Sequence, residues 1–349
     1  MNESVFLQAC RRELTAYTPV WLMRQAGRYM AEYRALRERV PFLTLCKTPE
    51  LAAQVTVEAV ERLGVDAAII FADILLIVEP MGVGLEFSQG DGPVIHRPVR
   101  SGADVDNLRE ADPRETVPFV FEAVKKARAE LPAHIPLIGF SGAPFTVASY
   151  MIEGGGSRNY VETKRLMYND PGAWRALMER LVRLITAYMN AQIAAGAQAV
   201  QLFDSWIGCL SPADYRTFIL PHMQTLFAGI TPGAPVIHFG TGTSGLLELM
   251  AEAGGTVLGV DWRVDLDVAW RRIGYGRAVQ GNLDPVTLFA SQTEIRRQVR
   301  RILEMTHGRP GHIFNLGHGI LPQTPVENVI GLVEMVHEIS EDLRVKSEE

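Results

Sequence analysis

Cysteine is scarce in this sequence. Cys10, Cys46 and Cys209 are odd in number, far apart and never in C-x-x-C spacing. This argues against a disulfide framework and a cysteine-based zinc site, and favours a reducing compartment. No run of 18 consecutive apolar residues occurs, so no membrane span is expected. The opening MNESVFLQACRREL lacks the basic region and long apolar stretch of a secretory signal, and a cytoplasmic setting is expected. Basic residues are in deficit: 34 Lys and Arg face 40 Asp and Glu, a net charge of −6, which argues against a nucleic-acid partner. There is no H-E-x-x-H motif, and His238-Phe239-Gly240 lacks the Cys of an H-x-C zinc site. A metal-free site is expected.

What is present suffices for a large core. Of 349 residues, 47% are apolar and 21% charged, which excludes intrinsic disorder. A chain of this length buries about 75% of its unfolded surface and needs no covalent staples. Short apolar runs recur at 18–24, 67–72, 136–141, 198–204, 235–239, 256–261, 278–282 and 312–317. They are nearly continuously apolar, as in a parallel sheet covered on both faces. Helical patterns lie between them at 49–63, 113–131, 170–195, 211–229, 243–253, 265–273, 285–306 and 325–343. Many open with a capping side chain before proline: Thr48-Pro49, Asp112-Pro113, Asp170-Pro171, Ser211-Pro212, Asp284-Pro285 and Thr324-Pro325. Eight strands alternating with eight helices predict an α/β fold, a (β/α)8 TIM barrel forming a single domain over 1–349. The rival, an open doubly wound sheet, usually stops at five or six strands. Two Gly-rich excursions, 78–98 with a possible hairpin and 150–169, fall on the βα side where barrel sites are built.

At the carboxyl ends of the strands stand Arg24, Asp73, Ser141–Gly142, Asp204–Ser205, His238, Asp261, Asn282 and His318. Each alone is as well explained by a helix cap or a solvated loop. Arg24 and Arg28 straddle Ala26-Gly27, and in a tight loop both converge on one anion; the alternative is a surface charge pair. Gly27 supplies the backbone freedom for that turn. Asp73 lies between the apolar runs IIFA and ILLIV, so it is either a structural N-cap or a functional carboxylate. Gly240–Gly245 reads as G-x-G-x-x-G with Asp261 about 20 residues on, a dinucleotide fingerprint on paper. Only three strands follow it, too few for that fold. Gly154–Gly156, between Glu153 and Ser157, suggests a lid or carboxylate nest rather than a phosphate loop.

At PVWLMRQAGRY (19–29) the sequence resembles the uroporphyrinogen decarboxylase family, and the likeness extends through most of the chain. GFSGAPFT (139–146), FADIL (71–75), SYMIEGGGS (149–157), QLFDSW (201–206) and NLGHGI (315–320) carry it further, in order. Ala31 departs from the proline common at that position. The resemblance implies a cofactor-free barrel homodimer that turns the four acetate side chains of uroporphyrinogen III into methyls, giving coproporphyrinogen III. It implies substrate contacts at Arg24, Gln25, Ala26, Gly27, Arg28, Asp73, Tyr150, Ser205 and His318, with Asp73, Arg28 and Tyr150 as catalytic residues.

The residue inventory suits that chemistry. Loss of carbon dioxide from an acetate needs an electron sink, and a pyrrole protonated on its α-carbon supplies one without pyridoxal, thiamine or metal. Arginines hold the polyanion, and Asp73, ringed by Phe71, Ile74, Leu75, Met23 and Phe203, stabilises the ring cation. Arg, water or the substrate's own carboxyl remain open as proton donor, and His318 is either an acid or a carboxylate binder. Two rivals stand beside this reading. A corrinoid-linked methyltransferase of the same fold is disfavoured by the missing H-x-C motif. A non-catalytic tetrapyrrole carrier would have no need of Asp73.

Overall fold

The computed structural model describes residues 4–88 and 92–348. Its strands are β1 (Ala68–Ile69), β2 (Leu85–Ser88), β3 (Gly92–Ile95), β4 (Leu137–Gly142), β5 (Ala199–Asp204), β6 (Val236–Gly240), β7 (Val257–Gly259), β8 (Ala278–Gln280) and β9 (His312–Ile313). Seven of them pair in parallel as one sheet, β1-β4-β5-β6-β7-β8-β9, while β2 and β3 form a separate antiparallel hairpin. The hairpin is the one expected in the excursion 78–98, whose residues 89–91 lie outside the described residues.

Residues 19–21 close the cylinder between β9 and β1. Val20 bridges Phe314 in parallel register, and the Phe314 N–H donates to the Pro19 carbonyl at 2.8 Å. On the other side the Asp66 N–H donates to the Val20 carbonyl at 2.8 Å. This stave is shorter than the expected 18–24, because the chain turns away once Gln25 N–H bonds back to the Leu22 carbonyl at 2.9 Å. The eight-stave (β/α)8 arrangement nevertheless stands. Trp21, Ala67, Ile138, Ala199, Ile237, Val257, Ala278 and Ile313, one from each stave, pack into one buried cluster. Phe6, Ala9 and Cys10 of the helix Val5–Cys10 join that cluster and plug the barrel's amino end. Ala67, Ala199 and Ala278 sit among larger neighbours around it, which lets the side chains interdigitate at interior density.

The helices follow the capping logic with instructive exceptions. The helix Pro49–Leu63 has the expected bounds, and Asp112, Asp170, Ser211 and Asp284 each accept a backbone N–H at their helix starts. Thr48 does not cap: its hydroxyl donates to the Thr44 carbonyl at 2.7 Å. The Thr324 hydroxyl is buried without a partner among the described residues. The stretches 113–131 and 211–229 each split in two, around Pro118 and Pro221, whose missing N–H groups interrupt the ladder. Position Ala31 opens the unexpected helix Ala31–Arg39, at the one helical place where proline and alanine are interchangeable. The excursion 150–169 is a loop only in its middle; it lies between the helices Pro144–Glu153 and Val161–Asn169.

Asp66 fastens the seam. Its carboxylate accepts from the Val20 N–H at 2.7 Å, the Tyr17 hydroxyl at 2.9 Å and the His337 ring at 2.8 Å, so the last helix, Val326–Glu348, is tied to the first stave. Removing the carboxylate leaves several polar groups unpaired at once. Asp66→Ala is expected to lower unfolding stability by about 2–4 kcal/mol in urea titrations. A change below about 0.5 kcal/mol would contradict this role.

Candidate functional site

The segment that closes the barrel also builds the mouth. Beyond Trp21 the backbone enters the left-handed region at Arg24 (φ 62°), a conformation uncommon for a residue with a side chain. Gln25 holds that turn: its side chain accepts the Leu22 N–H at 3.1 Å and donates to the Ala67 carbonyl at 3.1 Å. The Tyr29 hydroxyl donates to the Gln25 carbonyl at 2.7 Å, and Arg34 donates to the carbonyls of Arg28 and Tyr29 at 2.9 and 2.8 Å. The sequence reading gave the special backbone to Gly27; the structure gives it to Arg24. Gly27 matters through closeness, since a Cβ there would lie 3.1 Å from the Arg24 carbonyl oxygen. The buried Gln25 side chain thereby ties the turn to the second stave.

The result is two exposed arginines on a rigid loop. Neither the Arg24 nor the Arg28 guanidinium has a hydrogen bond or ion pair among the described residues. The Arg24 side chain runs against Gly319, where a Cβ would come within 2.5 Å of its Cδ, so a side chain at that point would displace Arg24. The same loop is anchored to the turn by the Ile320 N–H, which donates to the Met23 carbonyl at 2.9 Å.

Asp73 faces this cation from the end of the second stave. One carboxylate oxygen accepts the Leu75 N–H at 2.8 Å; the other has no partner among the described residues. The cap reading and the functional reading therefore both hold, one for each oxygen. Burial pushes the carboxyl up to about 6, against the opposing pull of the Leu75 N–H and Arg24. Leu75 and Met23 are buried and Phe71, Ile74 and Phe203 half-buried, in keeping with the expected apolar collar. Ile74 lies across the end of β4, where a Cβ on Gly142 would meet its Cβ at 3.1 Å. No ion pair within 4 Å engages Asp73 among the described residues.

Tyr150 and His318 complete the group around Arg24. Burial and the charge of Asp73 raise Tyr150 to about 12, with Arg24 opposing, so its hydroxyl stays a proton-bearing donor. His318 is lowered to about 4 by burial and then by Arg24 and Arg263, which leaves a neutral imidazole at pH 7. That weakens the acid role and suits hydrogen bonding. Asp73, Tyr150 and His318 thus all sense one guanidinium, though Asp73 and His318 come from loops after two different strands and Tyr150 from the helix Pro144–Glu153. Ala26 and Gly27 lie half-buried on the same loop as Arg24, and Ser205 sits half-buried at the end of β5. The Ser205 carbonyl accepts the Thr241 hydroxyl.

Other strand-end residues have internal duties. Asp204 and His238 are wholly buried, Asp204 against Thr146 and His238 against the Phe227 ring at 5.1 Å. Asp261 accepts the Gly242 N–H at 2.6 Å and pairs with Arg263 at 2.6 Å. The glycine pattern and its acidic residue therefore cap each other, and no dinucleotide fingerprint exists there. Asn282 donates to the carbonyls of Asp261 and Val264 at 2.9 and 2.7 Å. Glu153 accepts both the N–H and the hydroxyl of Thr163 at 2.8 Å, and Gly154 ends the helix that carries Tyr150. Trp206, stacked on Tyr150 at 3.8 Å, escaped the sequence reading although it closes the QLFDSW motif. No group of three or more potential metal ligands occurs among the described residues, nor any helix long and apolar enough to cross a membrane.

Comparison with known proteins assigns the family. The model for uroporphyrinogen decarboxylase (URO-D) matches residues 1–339. Relatives named uroporphyrinogen decarboxylase include one from Carboxydothermus hydrogenoformans, 59% identical over 97% of both chains. Another, from a Roseiflexus species, is 56% identical over 97% of this chain and 99% of its own. Among solved structures, a methyltransferase from Methanosarcina mazei superposes with a TM-score of 0.82 at 22% identity, covering 97% of this chain and 99% of its own. A B12-independent methionine synthase from a Shewanella species reaches 0.58 at 10% identity, over 86% and 89%. These last two speak to the barrel alone. A family model matched over almost the full length, with relatives this near, makes this chain a member of the uroporphyrinogen decarboxylase family of carboxy-lyases.

Proposed function

We propose that this protein removes carbon dioxide from the four acetate side chains of uroporphyrinogen III, leaving methyls and giving coproporphyrinogen III. The observation that carries the proposal is Asp73, half-engaged by one backbone N–H and collared by apolar side chains beside the unpaired Arg24. Arg24 and Arg28 bind substrate carboxylates through charge-assisted hydrogen bonds. Tyr150, Ser205 and neutral His318 add donors, and the backbone of Ala26 and Gly27 shapes the floor beside them. The free oxygen of Asp73 accepts pyrrole N–H groups at the centre of the tetrapyrrole.

The reaction then uses the substrate as its own sink. A proton adds to a pyrrole α-carbon and makes a conjugated cation. The C–C bond to the carboxylate breaks, its electron pair neutralises the ring, and carbon dioxide leaves. The resulting exocyclic methylene takes a proton to become a methyl, and loss of the α-proton restores the pyrrole. Asp73 stabilises the cation electrostatically, and the low local polarity strengthens that field. Arg28 and Tyr150 hold the reacting acetate, so no cofactor or metal enters the scheme. The corrinoid-linked methyltransferase alternative has only the fold in its favour, and His238 is packed against Phe227 instead of reaching the mouth. A homodimer and a cytoplasmic location belong to the same reading and rest on family likeness.

Anaerobic incubation with uroporphyrinogen III, with products separated by carboxyl number, is expected to yield species with seven, six, five and finally four carboxyls. Unchanged eight-carboxyl substrate would reject the proposal. Arg28→Ala is expected to raise KM roughly tenfold or more, in line with the loss of one charge-assisted contact. Added salt should raise the KM of the unmodified protein in the same direction. Substrate binding that ignores both changes would reject the arginine clamp.

A further inference from the structure

At the carboxyl end of β5 runs a hydrogen-bond chain that the scheme above leaves without a task. Asp204 is 0% exposed, and its Oδ1 accepts the Thr146 hydroxyl at 2.8 Å. The same hydroxyl oxygen accepts the backbone N–H of Trp206 at 3.2 Å. The Trp206 ring lies on the Tyr150 ring, centroids 3.8 Å apart and planes 28° from parallel. Tyr160 meets Trp206 edge-on from another side at 5.3 Å. Thr146 and Tyr150 are four residues apart on the helix Pro144–Glu153 and so share a face. The chain therefore leaves that helix at Thr146, passes through the end of β5, and returns to it at Tyr150.

The chemistry of each link fixes a direction. A hydroxyl has one proton; giving it to a carboxylate leaves lone pairs for an incoming N–H. Asp204 thus obliges Thr146 to be an acceptor toward Trp206. Its second oxygen, Oδ2, is buried with no partner among the described residues, so the carboxyl is held at a desolvation cost that packing alone does not explain. Burial raises it to about 7, the mark of that cost. An apolar residue would fill the same space more cheaply.

We propose that Asp204 and Thr146 are positioning residues which, through Trp206, fix the plane of the Tyr150 ring and so aim its hydroxyl at the reacting acetate. This rests on the reading of Tyr150 as a substrate-contacting group. Aromatic stacking sets the ring plane, and the backbone anchor at Trp206 prevents the pair from sliding together. Misplacement of a catalytic group by a fraction of an ångström to one ångström costs up to about 10²-fold in rate.

The test measures kcat and KM for carbon dioxide release in Thr146→Val and Thr146→Ser, each alone and combined with Tyr150→Phe. Thr146→Val is expected to lower kcat about tenfold or more with KM within about twofold, and Thr146→Ser to stay within about twofold of the unmodified enzyme. In the Tyr150→Phe background, which is itself slowed, adding Thr146→Val should change kcat by less than about twofold, because the hydroxyl being aimed is gone. Should Thr146→Val not fold, Trp206→Leu breaks the next link with Asp204–Thr146 intact, and the same background dependence is expected. Equal losses in both backgrounds, or a Thr146→Ser as slow as Thr146→Val, overturn the inference. A Tyr150→Phe as fast as the unmodified enzyme removes the Tyr150 reading and this inference together. A slow Tyr150→Phe beside an unaffected Thr146→Val removes the inference alone.

Discussion

A three-residue stave has to close an eight-stave cylinder, and everything at the mouth depends on how it does so. Residues 19–21 take hydrogen bonds from both neighbours, and Asp66 secures the joint with its main chain and its side chain. Immediately afterwards the chain turns through Arg24 in the left-handed region and leaves Arg24 and Arg28 exposed, Arg24 beside Asp73. Closure and cation placement are thus one structural event.

The electrostatics of the mouth follow from that placement. Asp73 is held partly out of water, which raises its carboxyl to about 6, while Arg24 opposes the rise. The folded chain therefore binds that proton more tightly than the unfolded chain does. Between the unfolded value and about 6 the native state loses stability as pH rises, and above about 6 the loss is complete. The site keeps an anion where the fold would prefer a neutral group. Such a conflict is the signature of function rather than of packing. In the proposed reaction the ring cation formed by protonation in the site relieves it, since the anion then gains a partner in a medium of low polarity.

Much of this was legible in the sequence, and the failures have physical causes. Helix starts read well because proline at the first helical position acts locally, even without a side-chain cap; Pro49–Leu63 came out to the residue. The splits at Pro118 and Pro221 are equally local, but each proline lies inside an otherwise periodic stretch that masks it. Strand-end side chains were harder. The barrel staves are apolar on both faces, so the sequence shows no alternation to say whether Asp204 or His238 points inward. Both proved buried in the wall, while Asp261 crosses to the Gly242 N–H over 19 residues. The Arg24 turn left no local mark, because glycine stood nearby at Gly27 to take the credit. Trp206 was passed over because its role is to back Tyr150, a relation that exists only in three dimensions.

The central claim is that the negative charge of Asp73 drives the loss of carbon dioxide. Single-turnover release from Asp73→Asn, at substrate concentrations that saturate binding, tests it most directly. The side chain keeps its shape and loses its charge, so the rate should fall by at least ~10²-fold while substrate still binds. Release at nearly the unmodified rate would contradict the account.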